Sequence, residues 1–338
     1  MKLTFNSLDK INYINIGLML ISLGLSIVLP FEILLLSYAI LGPLHYLTEI
    51  SWLKDRNFFL KKQSDRIWVY LLSAFILLGS ASFINSHYLK IFQQWNLIAL
   101  YILFVTIMVF MLFEHPFLRM IGIFFAILGS MIFVYNHFLV ILLAIYLTTL
   151  IHVYVFTGAF ILSGSLKSKS FSGYLSFVIF IACPILCFII LPSLSHPASA
   201  WSMASYTSTF TILNHTTLEQ FFGYNSAAFI DIFHHPVSIL ITRFMAFAYT
   251  YHYLNWFSKT SVIKWHKISK KRFLVILAFW IGSLALYKVD FMFAYKWLFL
   301  LSYLHVLLEF PLNHLSFIQI GQGLKERLRT NRWSPRNG

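Results

Sequence analysis

The sequence predicts an all-α, polytopic membrane helix bundle of about ten transmembrane helices with both termini cytoplasmic. Three observations predict it. Of 338 residues, 59% are hydrophobic and only 11% charged, against about 25% charged in soluble domains. Ten apolar runs each approach the roughly 20 residues that a helix needs to cross hydrocarbon. The basic residues sort to alternate connections between those runs. No polar stretch is long enough to build a soluble core of its own, so residues 1–338 are expected to form a single integral-membrane domain. The net charge of +14 is scattered over short loops. That excludes a concentrated nucleic-acid patch and fits the excess of Lys and Arg on cytoplasmic loops. The expected setting is a bacterial inner (plasma) membrane, with membrane lipids as partners.

The runs fall at about 11–30, 31–53, 66–85, 95–113, 117–135, 137–163, 172–192, 237–257, 272–289 and 291–317. Lys2 and Lys10 precede the first, and no small-residue cleavage site follows it, so it reads as a retained helix and not a signal peptide. Pro30 marks a tight hairpin between the first two runs. The sixth and tenth are long enough to tilt or protrude. With ten spans, 21 of the 25 Lys and Arg residues fall on one side, concentrated in 54–66, 258–272 and the basic tail 318–338. The other side keeps Lys90, Lys288 and Lys296, and Arg243 lies within a span. An error of one span would break this sorting. The long outer loop 193–236 has no Lys or Arg, and Leu218–Phe233 is expected to form a short interfacial helix within it. Cys183 and Cys187, four apart in one apolar run, read as small core residues.

Polar groups inside these runs carry the functional argument. Leu41–Trp52 reads L-G-P-L-H-Y-L-T-E-I-S-W and puts His45 and Glu49 four apart, on one helical face. An imidazole and a carboxylate in hydrocarbon are costly, which makes them a functional-site hypothesis. The alternating topology places His152 on the sixth helix, with Tyr154 and Thr157 nearby. At comparable depth it places His252 and Asn255 on the eighth helix, and His305 and Glu309 on the tenth. Imidazole with carboxylate is the ligand set of non-haem iron, zinc or manganese. Glu49 and Glu309 then read as ligands, orienting groups or proton carriers. Asn255 orients a ligand, and Tyr249, Tyr251 and Tyr253 line a lipophilic pocket. The plainer readings make each histidine an interhelical hydrogen-bond partner and turn Glu49 toward Lys54 or Arg56. They leave His115, His266 and His314 at the membrane interface. Asp231, His234 and His235 form a second candidate metal group on the outer side. Arg243 has three open readings: a partner for Asp231, for a lipid phosphate or for an anionic substrate.

The stretch Gly42–Glu49, G-P-L-H-Y-L-T-E, resembles the Pro/His/acid motif on an early helix of the Brp/Blh-type β-carotene dioxygenases. Tyr251–Trp256 and His305–Glu309 are similar in kind to the later histidine-bearing helices of that family. The resemblance implies a polytopic membrane enzyme in which His45, His152, His252 and His305 hold a non-haem iron (Fe2+) that cleaves a carotenoid. Two positions depart from the family pattern: Trp256 stands where a second late-helix histidine would be, and Tyr46 replaces the glycine after the first. The leading expectation is a metal-dependent oxygenase acting on a lipophilic small-molecule substrate such as a carotenoid or other lipid. The alternatives are a proton-coupled transporter using intramembrane His and Glu, a membrane acyltransferase using His and Asn, and a bis-histidine haem protein.

Overall fold

The computed structural model describes residues 7–81, 90–224, 231–264 and 267–332. Every element among them is helical and no strand occurs. In hydrocarbon a lone segment can satisfy its backbone polar groups only as a helix, and these Leu-, Ile- and Phe-rich runs obey that constraint. The helices are α1 (Ser7–Val28), α2 (Pro30–Asp55), α3 (Gln63–Ser80), α4 (Lys90–Leu112), α5 (Pro116–Tyr135), α6 (137–168), α7 (Phe171–Ile189), α8 (Ala200–Thr207), α9 (Thr211–Phe222), α10 (Pro236–Ser258), α11 (Lys270–Val289) and α12 (Phe291–Arg332). Seven of them, within α1, α2, α4, α6, α7, α11 and α12, are long and apolar enough to cross a membrane. The chain is an integral membrane helix bundle.

Side-chain pairs fix the helix directions. Ser37 bonds Thr250, Tyr46 bonds Tyr253 and Trp256 bonds Thr48, so α2 and α10 run parallel. Asn15 meets Tyr251 and Ser258, while Ser195, bonded to Ile27 O, accepts from Arg243; α1 therefore runs antiparallel to α10. The α1–α2 hairpin is thus real, turning at Leu29 with Pro30 in the first turn of α2, where its missing N–H costs nothing. His152–His305 and Ser163–Gln319 make α6 parallel to α12. Trp280–Ile40 and Arg272–Asp55 make α11 antiparallel to α2.

Ion pairs collect at one end. Asp55–Arg272, Lys61–Glu114, Asp65–Arg119 and Lys169–Glu326 join helix ends there. Asp9 at the start of α1 also meets Ser172 there. The opposite end is closed by the loop after α7. The expected helix 218–233 is instead α9 at Thr211–Phe222, ended by left-handed Gly223 (φ +70°); residues 225–230 lie outside the described residues. Gly without a Cβ adopts this conformation at no steric cost, which stops the helix. Glu32 accepts from Ser199 N and Ser202 Oγ, tying the start of α8 to α2. Tyr206, Phe210, Leu213 and Leu218 of this cap pack on Phe31, Leu34, Tyr38 and Tyr249, which fills that half of the bundle.

Three of the helices that frame the interior depart from regular α geometry. Ser37–Leu41 is a π turn in which Gly42 N bonds Ser37 O, and Pro43 follows at once. Leu142–Phe156 of α6 is π-helical, and α12 contains Pro311. Such irregular turns are frequent at functional sites because they re-aim side chains. Gly42 also permits a close approach: a Cβ there would stand 2.9 Å from Tyr46 Oη and 3.4 Å from Tyr253 Oη. Gly42→Ala is therefore expected to displace the Tyr46–Tyr253 bond and cost about 1–3 kcal/mol, read as a lower unfolding midpoint of the detergent-solubilised protein.

Candidate metal centre

His45 (α2), His152 (α6), His252 (α10) and His305 (α12) meet at one depth, each 6% exposed or less. The Nε2 atoms of His45 and His252 stand 3.1 Å apart, as do those of His152 and His305. One ring nitrogen from each of His45, His252 and His305 lies within 4.8 Å of the other two. Glu49 Oε2 is 3.0 Å from His45 Nε2, and Glu309 Oε2 is 3.1 Å from His152 Nδ1, with both carboxyl groups buried. These two oxygens nevertheless have no partner with hydrogen-bond direction, and neither do His45 Nδ1 and His152 Nδ1. The two imidazole–imidazole pairs have hydrogen-bond geometry, whereas the two imidazole–carboxylate contacts have the distance of a hydrogen bond without its direction. Ligands bound ~2.1 Å from one ion stand ~3.0–3.4 Å from each other with their lone pairs aimed at the ion and not at one another. The separations within the cluster fall in that range, and the three nitrogens of His45, His252 and His305 are near enough to one another to share an ion.

Two rings are held from behind. His305 Nδ1 donates to Ser302 O, which leaves the lone pair on Nε2, facing the cluster. His252 Nδ1 is 2.8 Å from Thr157 Oγ1. Metal-binding histidines habitually bond through their second nitrogen in this way, which fixes tautomer and orientation. Tyr46 stacks on His305 with ring centroids 4.3 Å apart, and Trp256, whose indole donates to Thr48 Oγ1, stands edge-on to His45. Thr157→Val is expected to keep the fold and weaken metal affinity about 10- to 100-fold, read by competition with a chelator of known affinity.

A cavity of about 180 Å³ adjoins the cluster on the side of the ion-paired end. His45, Glu49, His252 and Glu309 form its inner wall, with Asn255, Thr157, Trp52, Phe160 and Lys259 around them. Asn255 is thus beside the cluster, with Oδ1 accepting from Tyr251 Oη. Of the three tyrosines expected to line a lipophilic pocket, Tyr251 lines a neighbouring groove, while Tyr249 and Tyr253 are in the aromatic core.

Several expectations are corrected. Glu49 does not reach Lys54 or Arg56; it is 1% exposed and faces His45, because the one-turn spacing keeps it on the histidine face. His314 is buried within the bundle, against Phe104, with Nδ1 on Phe310 O. His115 is exposed, and His266 lies outside the described residues. The outer Asp231–His234–His235 group does not converge. His234 pairs with Asp231 at 2.8 Å, both exposed, while His235 caps α10 through Ser238 N. Arg243 does not pair with Asp231. Fully buried, it donates to Ser195 Oγ and to the carbonyls of Ile190, Leu191 and Pro192. Lys259 is not among the residues that the sequence singles out, although continuing the face of His252 through Asn255 by one more turn arrives at it. Thr157 reads in sequence only as a neighbour of His152, and its bond to His252 has no signature in spacing.

Fold and site together define a class: an integral membrane helix bundle with a buried histidine–carboxylate cluster able to hold a divalent metal ion. Comparison with protein-family models, curated proteins and solved structures gives no match to this chain, so the reading of function rests on the cluster itself.

Proposed function

We propose that the protein is a membrane metalloenzyme, a non-haem iron oxygenase acting on a lipophilic substrate such as a carotenoid or another lipid. The convergence of four buried histidines and two buried carboxylates, with Glu49 Oε2, Glu309 Oε2, His45 Nδ1 and His152 Nδ1 left without hydrogen-bond partners, supports this reading above all else. Imidazole and carboxylate together suit iron, zinc and manganese; iron, when bound, supplies the oxygen chemistry. His45, His252 and His305 would hold the ion from three helices, with His152 and Glu49 completing the ring. Glu309 stands against His152 and balances its charge when the ring is protonated. Asn255 and Lys259 face the space beside the cluster, and Trp52, Phe160 and Leu312 keep that space apolar. The resemblance of Gly42–Glu49 to the Brp/Blh-type dioxygenases points the same way.

The spans fit that setting. Parallel α2, α6, α10 and α12 against antiparallel α1 and α11 is the order expected of ten alternating crossings. The end that carries the ion pairs is then the cytoplasmic one, with both termini on it, by the positive-inside rule; the bacterial inner membrane remains the expected location. A bis-histidine haem fits poorly. Its two nitrogens would stand ~4 Å apart across a macrocycle, whereas the closest pairs here are 3.1 Å apart with other side chains between the helices. A transporter would need access from the outer side, where Tyr38, Phe210, Tyr249 and Tyr295 pack ring against ring.

The test incubates the iron-loaded full-length protein in detergent, in air, with β-carotene and separately with a long-chain fatty acid. The expected result is oxygen uptake in step with loss of one of them, absent from the chelated protein. Uptake no greater than the chelated baseline with both would contradict the oxygenase reading.

A further inference from the structure

Among the described residues, Lys259 is a cation without an acidic partner, and it stands at the junction of two cavities. It follows the last residue of α10, half-buried, and burial alone holds its ammonium down to about 8, with no acid contributing. None of the ion pairs among the described residues includes it. It lines the cavity beside the histidine cluster and also a groove of about 510 Å³ between α1, α6 and α10. Asn255, one turn earlier, lines both as well. With Asn255 Oδ1 accepting from Tyr251, its amide nitrogen has no acceptor among the described residues. An ammonium and an amide N–H₂ side by side are donors waiting for an anion. Leu8, Ile11, Phe160, Ile161 and Tyr251 give the groove beyond them an apolar surface for an alkyl chain, with Asn12, Asn15 and Lys167 also on its wall. A half-buried cation at the rim of such a groove gains from an accompanying anion.

We propose that Lys259 and Asn255 bind the anionic head of a single-chain amphiphile, with its tail in the α1–α6 groove. Turnover of that amphiphile rests on the oxygenase reading, whereas the head site stands on Lys259 independently. The head then occupies the same cavity as Glu49 and His45, so the atoms next to the head, and not the far end of the tail, face the cluster. Phe160 lies between the two cavities and sets the bend.

The experiment measures binding of three 18-carbon probes to the full-length, metal-loaded protein in a neutral detergent: the carboxylate, the monoacylglycerol phosphate and the uncharged alcohol. Wild type is expected to bind at least one anion about tenfold or more tightly than the alcohol, and the tighter anion identifies the head. Lys259→Met is expected to abolish that preference without changing alcohol affinity, and Lys259→Arg to retain it. An alcohol bound as tightly as both anions, or a preference surviving in Lys259→Met, overturns the proposal. Metal content is measured on the same samples. A Lys259-dependent preference in protein that binds no metal would leave the head site standing and remove the oxygenase; bound metal with no preference would do the reverse.

Discussion

Alanine at His45, His252 or His305 is expected to reduce bound metal from about one ion per chain to below roughly a tenth. One nitrogen of each of the three rings lies within 4.8 Å of the other two, and the loss of a ligand costs more than the 10- to 100-fold attached to an orienting residue. Glu309→Gln is expected to fall in that milder range, because Glu309 touches His152 and not the three converging nitrogens. A bound ion also stabilises the folded state by mass action, about 2.7 kcal/mol at a hundredfold excess over its dissociation constant. Chelation should therefore lower the unfolding midpoint of wild type and leave that of His252→Ala unmoved. Equal midpoint shifts in both would show that the chelator acts elsewhere.

Arg243→Met is expected to be the most destabilising single change away from the cluster, by about 3–5 kcal/mol. One guanidinium satisfies a hydroxyl and three carbonyls at the exposed end of α7, and bonds to charged donors each contribute ~1.5–3 kcal/mol. Removing it takes the donor from four acceptors at once. Arg243→Lys should rescue little, since an ammonium on a flexible stem lacks the planar fork that reaches several acceptors at once. Unfolding midpoints in detergent, followed by the tryptophan emission, read the difference. Wild-type stability in Arg243→Lys would show that charge alone matters there.

The parts of this fold legible in sequence are those the membrane makes expensive. His45, Glu49, His152, His252, His305 and Glu309 stand out because such groups seldom occur in hydrocarbon without a use. Their equal depth follows from the alternating direction of the spans, and the structure brings them together. The apolar runs predict ten spans, whereas among the described residues seven helices are long and apolar enough to cross a membrane. The most revealing of the rest is α10, whose Arg243, His252 and Asn255 lower its hydropathy because it lies inside the bundle. The outer cap reads in sequence as one helix in the wrong place, since α8 and α9 owe their positions to Glu32, Tyr206 and Asn214 contacts that span many residues. Arg243 misleads for a related reason: its partners are backbone carbonyls, which leave no mark in a sequence. The π turns at Ser37–Leu41 and Leu142–Phe156 are equally silent, although Gly42-Pro43 marks where the first one ends.

Above all, His45, His152, His252 and His305 are expected to share one metal ion. X-ray absorption at the iron edge of full-length protein, purified without chelators and reloaded with Fe2+, tests this most directly. The expected result is about one iron per chain, with a shell of nitrogen and oxygen at roughly 2.0–2.2 Å and the outer-shell scattering of several imidazoles, lost in His45→Ala. Less than about a tenth of an iron, zinc or manganese ion per chain after reloading, or a bound ion whose spectrum His45→Ala leaves unchanged, would contradict it.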